Sequence, residues 1–201
     1  MCGSIEDSVV AGVIIYAAAA VFLLSGSKEY IWLGAVLLVT GTIQFLDALI
    51  WIFRKFNLPT KPIAQYGILI ILILELITVY GGYVYYSGER IPLYEILLLI
   101  AIIVMGGLWI LKCKDTTVTR DGYLKWCNVN IPFIEKIIFL SFLVFPVLYF
   151  PDMAQKILFL VFACGTWLYN FNHEAFGSRW CYSVSIYAVI AVLLYFLQKE
   201  D

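Results

Sequence analysis

The chain has 201 residues, of which 63% are hydrophobic and 13% charged, with a formal net charge of −1. Soluble domains average about half apolar and about a quarter charged residues, so this composition points to lipid as the solvent. The 13 Lys and Arg residues are scattered and form no basic stripe, which argues against a nucleic-acid partner.

A hydrocarbon core is crossed by roughly 17 to 25 apolar residues in a helix. Seven stretches meet that length: Ser8–Leu24, Ile31–Phe53, Ile63–Tyr86, Leu93–Leu111, Phe133–Phe150, Met153–Asn170 and Ser178–Leu197. The sequence therefore predicts an all-α integral membrane protein, a single polytopic domain with seven transmembrane helices. Turn chemistry separates the spans at Ser25-Gly26-Ser27, Asn57-Leu58-Pro59, Ser87-Gly88 and Pro151-Asp152. Pro146 and the short link between spans five and six leave a re-entrant pair open there. The leader before Ser8 carries Glu6 and Asp7 and no cation, so the first span is read as part of the mature chain.

Between spans four and five, Thr116 to Trp126 alternates β-forming residues around Asp121-Gly122, which predicts a short β-hairpin. A two-residue turn pairs Arg120 with Tyr123, Thr116 with Cys127 and Cys113 with Asn130. Leu124 and Trp126 then share a face suited to lipid headgroups. This hairpin reads as an amphipathic connector rather than a ligand-binding lid.

The loops on the N-terminal side collect Arg54, Lys55, Lys61, Lys112, Lys114, Arg120, Lys125, Lys136 and Arg179, nine of the 13 cations. The opposite side holds Lys28, Arg90, Lys156 and Lys199. The positive-inside rule places the N-terminus and the hairpin in the cytoplasm and the C-terminus on the opposite side.

Five cysteines, Cys2, Cys113, Cys127, Cys164 and Cys181, form no CxxC pair, and the hairpin register separates Cys113 from Cys127, so free thiols are expected. Cys2 is also a candidate chelating, nucleophilic or acylated N-terminal residue. His173 is the one histidine, which excludes a three-histidine zinc site and the seven-helix hydrolases built on one. A retinal receptor is unsupported, since the last helix has no lysine before Lys199.

Ionisable groups near mid-membrane cost about 2.5 to 3.5 kcal/mol on insertion scales and are functional suspects. Asp47 shares a helix face with Gln44, Thr40 and Trp51, and Glu75 lies about 18 Å into the third span at helical rise. Both suit proton coupling or cation binding. Other spans offer polar residues, including Asn170, Ser178 and Ser185, and Ala17 to Ala20 with Gly12 suit close helix packing. By depth, Cys2, Gln44, Asp47, His173, Glu174 and Cys181 converge near the N-terminal side. Cys2, Asp47, His173 and Cys181 would suit a soft or borderline metal such as zinc or copper.

At these positions the chain resembles an uncharacterised family of multi-pass membrane proteins from bacteria, algae and large DNA viruses. The shared features are the Met1-Cys2-Gly3-Ser4 start, Gln44-x-x-Asp47 with Trp51, and Gly177-Ser178-x-Trp180-Cys181 opening the last helix. Gly3 stands where the family has an aromatic residue, and Asp47 where it usually has Glu. The resemblance singles out Cys2, Gln44, Asp47, Ser178, Trp180 and Cys181 and implies no activity. Three readings stand: binding or transport of a metal ion, proton or small solute through a polar bundle interior; an intramembrane enzyme using a thiol or thiolate-bound metal; or a non-catalytic membrane scaffold.

Overall fold

A computed structural model describes residues 3–88, 90–128, 130–148, 150, 152–170, 172–173 and 175–200. It leaves out the side chains of 87, 139, 142, 143, 145, 146, 176, 177, 180–182 and 200. Among the described residues the chain is helical apart from its loops and one small strand pair. The helices are α1 (Ile5–Leu23), α2 (Lys28–Lys55), α3 (Lys61–Ser87), α4 (Leu93–Lys112), α5 (Phe133–Val147), α6 (Met153–Asn170) and α7 (Phe176–Glu200). The strands β1 (Thr117–Val118) and β2 (Leu124–Lys125) lie between α4 and α5. By length and composition, α1 to α4 can each cross a membrane. The 15-residue α5 stops at Val147, just past Pro146, short of the Phe150 end expected from apolarity.

The helix starts follow from local chemistry. Ser4 caps α1 by accepting the Asp7 N–H at 3.1 Å, and Glu6 and Asp7 add negative charge to the first turn. No side chain of its own caps α3; Asp115 does so from across the bundle end, its Oδ1 accepting the backbone N–H of Thr60 at 3.1 Å and of Lys61 at 2.9 Å.

Successive helices alternate in direction, so one end of the bundle holds the start of α1, the α2–α3 turn, the strand pair and the α6–α7 connection. We call this the hairpin end. Close approach of α1 to α2 rests on Gly34, where a Cβ would sit 2.9 Å from the Ala19 carbonyl oxygen. The main core joins α1, α2, α3 and α7 through Ile15, Phe22, Leu37, Tyr83 and Ala188. Outward faces carry Val10, Val13, Ile70, Ile77, Leu97 and Val104 exposed, an apolar surface that a soluble monomer would not present.

The strand register differs from the expected one by a residue. Thr117 pairs with Lys125 and Val118 with Leu124. The loop is three residues long, closed by the Thr119 N–H to Tyr123 oxygen bond at 2.8 Å, with Gly122 at φ 83. That is a turn whose last residue adopts the left-handed conformation glycine tolerates, in place of the two-residue turn. Leu124 consequently points into a small core with Ile50, Ala64, Cys113 and Cys127, 1% exposed, and not toward headgroups.

The free-thiol expectation fails at the same place. Cys113 and Cys127 form a disulfide, with their Cα atoms 4.3 Å apart. After β2 the backbone turns back through left-handed Cys127 and Asn128, at φ 55 and 48, a path that strand pairing alone does not anticipate. Cys164 is free, as expected.

Candidate functional site

Asp47 lies two turns before the C-terminal end of α2 and is 0% exposed. Its Oδ1 accepts a hydrogen bond from Trp126 Nε1 at 2.5 Å and one from Ser178 Oγ at 3.3 Å. Trp126 opens the short turn after β2 and Ser178 stands in the first turn of α7, so three separate segments meet at one oxygen. The indole reaches Asp47 across Gly67 of α3, where a Cβ would lie 3.2 Å from the ring. Among the described residues, Asp47 Oδ2 has no hydrogen-bond partner and no Lys, Arg or His stands beside the carboxylate.

The Ser178 hydroxyl also lies 3.1 Å from the Leu124 carbonyl oxygen. One hydroxyl proton thus faces two acceptors, one on the hairpin and one on the buried acid. Gln44 is fully buried one turn from Asp47 on the same helix.

The hairpin is seated over this acid by several independent ties. Arg54 Nη1 donates to the Thr116 carbonyl at 2.6 Å, and the Thr116 N–H donates to Thr60 Oγ1 at 2.9 Å. The Arg179 guanidinium stacks 5.0 Å from the Tyr123 ring. His173 Nδ1 accepts the Ala175 N–H at 3.1 Å, which leaves Nε2 to carry the proton and donate to Asp121 at 2.7 Å. The His173 bond holds the Asp121 carboxyl below its ordinary value. Both ring nitrogens are therefore occupied by the hairpin and the α6–α7 turn, and the imidazole does not reach Asp47.

Of the remaining sequence candidates, Glu75 is buried in α3, its Oε2 without a hydrogen-bond partner among the described residues. Counted from the shared α2–α3 end, it sits about 9 Å deeper than Asp47 at helical rise, so the two acids do not form one site. Asn170 ends α6, its Nδ2 donating to the Thr166 carbonyl at 2.8 Å. Cys2 and Glu174 lie outside the described residues, as do the side chains of Trp180 and Cys181, whose backbone belongs to α7. Among the described residues, no three His, Cys, Asp or Glu side chains gather as a metal-binding group.

Two polar features escaped the sequence reading. Glu95, in the first turn of α4, is 0% exposed. Its place near a predicted helix end gave no sign of burial. At the end opposite the hairpin, Asp152 precedes α6 and accepts from Tyr30 Oη at 2.6 Å, the Gln155 N–H at 3.0 Å and Gln198 Nε2 at 3.3 Å. Burial pushes the Asp152 carboxyl up, but these donors outweigh it and hold the group below its ordinary value. An Asp directly before an apolar helix is a cap signal, and it was readable as such.

Compared with family models, curated proteins and solved structures, the chain matches none.

Proposed function

We propose that the protein is a seven-span membrane protein that binds and moves a proton or small cation at Asp47, with the N-terminus and hairpin cytoplasmic. The observation that carries this reading is the Asp47 carboxylate itself: fully buried, fixed through Oδ1 by Trp126 and Ser178, and with the buried Oδ2 lacking a hydrogen-bond partner among the described residues. A buried carboxylate without a cationic partner is costly, and a proton or cation completes it. Long apolar α1 to α4 and their outward apolar faces support the membrane setting. The motif resemblance is consistent with this placement, since its Asp47 and Ser178 belong to the same site.

A structural role is favoured by one observation, that the same two hydrogen bonds tie the hairpin and α7 to α2. Asp47→Asn separates the two readings because the amide keeps the Oδ1 acceptor for Trp126 and Ser178. In detergent, carboxyl infrared difference spectra of wild type and Asp47→Asn follow proton and cation uptake, while thermal melting follows stability. The proposal expects the variant to melt near the wild type and to lose a titrating buried carboxyl. Equal uptake by both proteins would overturn it.

A further inference from the structure

In the short turn after β2, Trp126 gives its indole N–H to Asp47 Oδ1 at 2.5 Å, and Cys127 is bridged to Cys113 just past the end of α4. The residue that holds the buried acid is thus the immediate chain neighbour of a bridged cysteine. Both cysteines also share a small core with Leu124 and with Ile50, which lies one turn from Asp47 on α2.

Cys127 and Asn128 both stand in the left-handed region, at φ 55 and 48. Residues with a Cβ seldom adopt that conformation, and two in succession persist only where surrounding structure imposes them. The hydrogen bonds of Cys127 are modest constraints: its N–H lies 3.4 Å from Thr116 Oγ1 and its carbonyl accepts the Lys114 N–H at 3.0 Å. The bridge to Cys113 adds the covalent one. With the hairpin in the cytoplasm, as proposed, the bridge faces a thiol-reducing pool, where disulfides that form are usually transient, catalytic or redox-sensing.

We infer that Cys113–Cys127 is a redox site that controls Asp47, with a dithiol as its co-substrate. This control rests on Asp47 being the ion site proposed above. Both cysteines are buried beneath Leu124, so exchange proceeds when the hairpin opens. One thiolate of the dithiol attacks a bridge sulfur, forming a mixed disulfide as the Cys113–Cys127 bond breaks, and the released cysteine takes a proton. The second thiolate of the dithiol then displaces the other cysteine, which takes the second proton. Two electrons and two protons have passed to the cysteines, and the dithiol leaves as a disulfide. Without the bridge, Cys127 returns to an ordinary negative φ, the backbone at Trp126 turns with it, and the indole leaves Asp47 Oδ1. Reverse exchange with a disulfide reseats it.

The test uses the whole protein in detergent, oxidised or after prolonged treatment with dithiothreitol, with the bridge state read by thiol alkylation and mass. Tryptophan emission follows the indole, and infrared difference spectra follow ion uptake by the carboxyl that Asp47→Asn lacks. Reduction of the wild type is expected to shift emission and to change the apparent ion affinity at Asp47 about tenfold, the scale of one hydrogen bond to a charged group. Oxidised glutathione reverses both. Cys113→Ser with Cys127→Ser matches the reduced state without dithiol, and Trp126→Phe abolishes the response to dithiol, so either variant serves if the other does not fold. Unchanged uptake in a wild type whose two cysteines are reduced overturns the redox control and leaves the Asp47 reading standing. A bridge that resists dithiothreitol in the folded protein, or a dithiol response that persists in Trp126→Phe, overturns it as well. Equal uptake by wild type and Asp47→Asn in both redox states overturns the Asp47 reading itself.

Discussion

Ser178 Oγ on α7 lies 3.3 Å from Asp47 Oδ1 on α2, joining residues 131 positions apart. The same hydroxyl lies 3.1 Å from the Leu124 carbonyl. Ser178→Ala therefore removes one donor from two buried acceptors and leaves a hairpin carbonyl and a carboxylate under-satisfied. Such a loss costs about 1 to 3 kcal/mol. We expect lower thermal stability in detergent and faster amide exchange in residues 116–127, with the remainder of the bundle unchanged. Exchange that rises uniformly along the chain, or not at all, would show that Ser178 does not hold the hairpin.

Asp115 caps α3 in trans, its carboxylate receiving the N–H groups of Thr60 and Lys61. Removing a capping oxygen costs about 0.5 to 2 kcal/mol, and removing its charge at a helix N-terminus about 0.3 to 1 kcal/mol. Asp115→Ala is expected to lower the melting temperature more than Asp115→Asn does, because the amide retains an acceptor. Identical melting of the two variants would contradict the capping role.

Depth by helical rise groups Asp47 with Cys181, and Ser178 is marked only by the polar face of its helix and by the motif resemblance, so the meeting of Asp47 with Ser178 was not itself legible. Which helix neighbours which was not legible, since α2, α6 and α7 present similar apolar patterns. The hairpin was visible in Asp121-Gly122, but its register was not. Gly122 serves a three-residue turn as readily as a two-residue one, and a slip of one residue reverses the faces of a strand. That slip hid Leu124 and Trp126, the two hairpin residues that contact the site. His173 was marked as a metal candidate on residue type, whereas its bonds to Asp121 and Ala175 depend on a turn no periodicity reveals. Gly67 gave a silent cue, because a glycine in an apolar helix often marks close approach by another group, here the Trp126 ring.

Acid should loosen the hairpin before it reaches the core. The Asp121 carboxyl is held below its ordinary value by His173, so its folded value lies below the unfolded one of about 3.9. For a depressed acid, the stabilisation is complete above the unfolded value and is lost as pH falls through the folded value. Asp152 is depressed in the same direction at the other end. Neither group gives a slope between pH 5 and 8. We expect amide exchange at residues 119–123 to rise as pH drops below about 4, after correction for intrinsic rates. In Asp121→Asn this acid dependence is already lost while that near Asp152 remains. A wild-type hairpin equally protected at pH 5 and pH 3 would contradict the pairing.

Charge and the disulfide make opposing statements about which compartment the hairpin faces. Nine of 13 cations lie on the hairpin side of the expected spans, which the positive-inside rule reads as cytoplasmic, whereas disulfides persist chiefly in oxidising compartments. We give the charge pattern more weight because Cys113 and Cys127 are 4% and 1% exposed beneath Leu124, so a reductant must first open the hairpin. The expected result is a C-terminal tag removed by protease added to intact cells, an N-terminal tag protected, and two thiols that alkylate only after reduction of the denatured protein. Protection of the C-terminal tag with the bridge intact would put the hairpin in an oxidising compartment and overturn the charge argument. Two thiols that alkylate before reduction would remove the bridge itself. The bridge closes a loop of 14 residues, and chain-entropy arguments give such a closure about 3 kcal/mol. Cys113→Ser with Cys127→Ser should therefore unseat Trp126 and Leu124, visible as a shift in tryptophan emission together with faster exchange in residues 116–127.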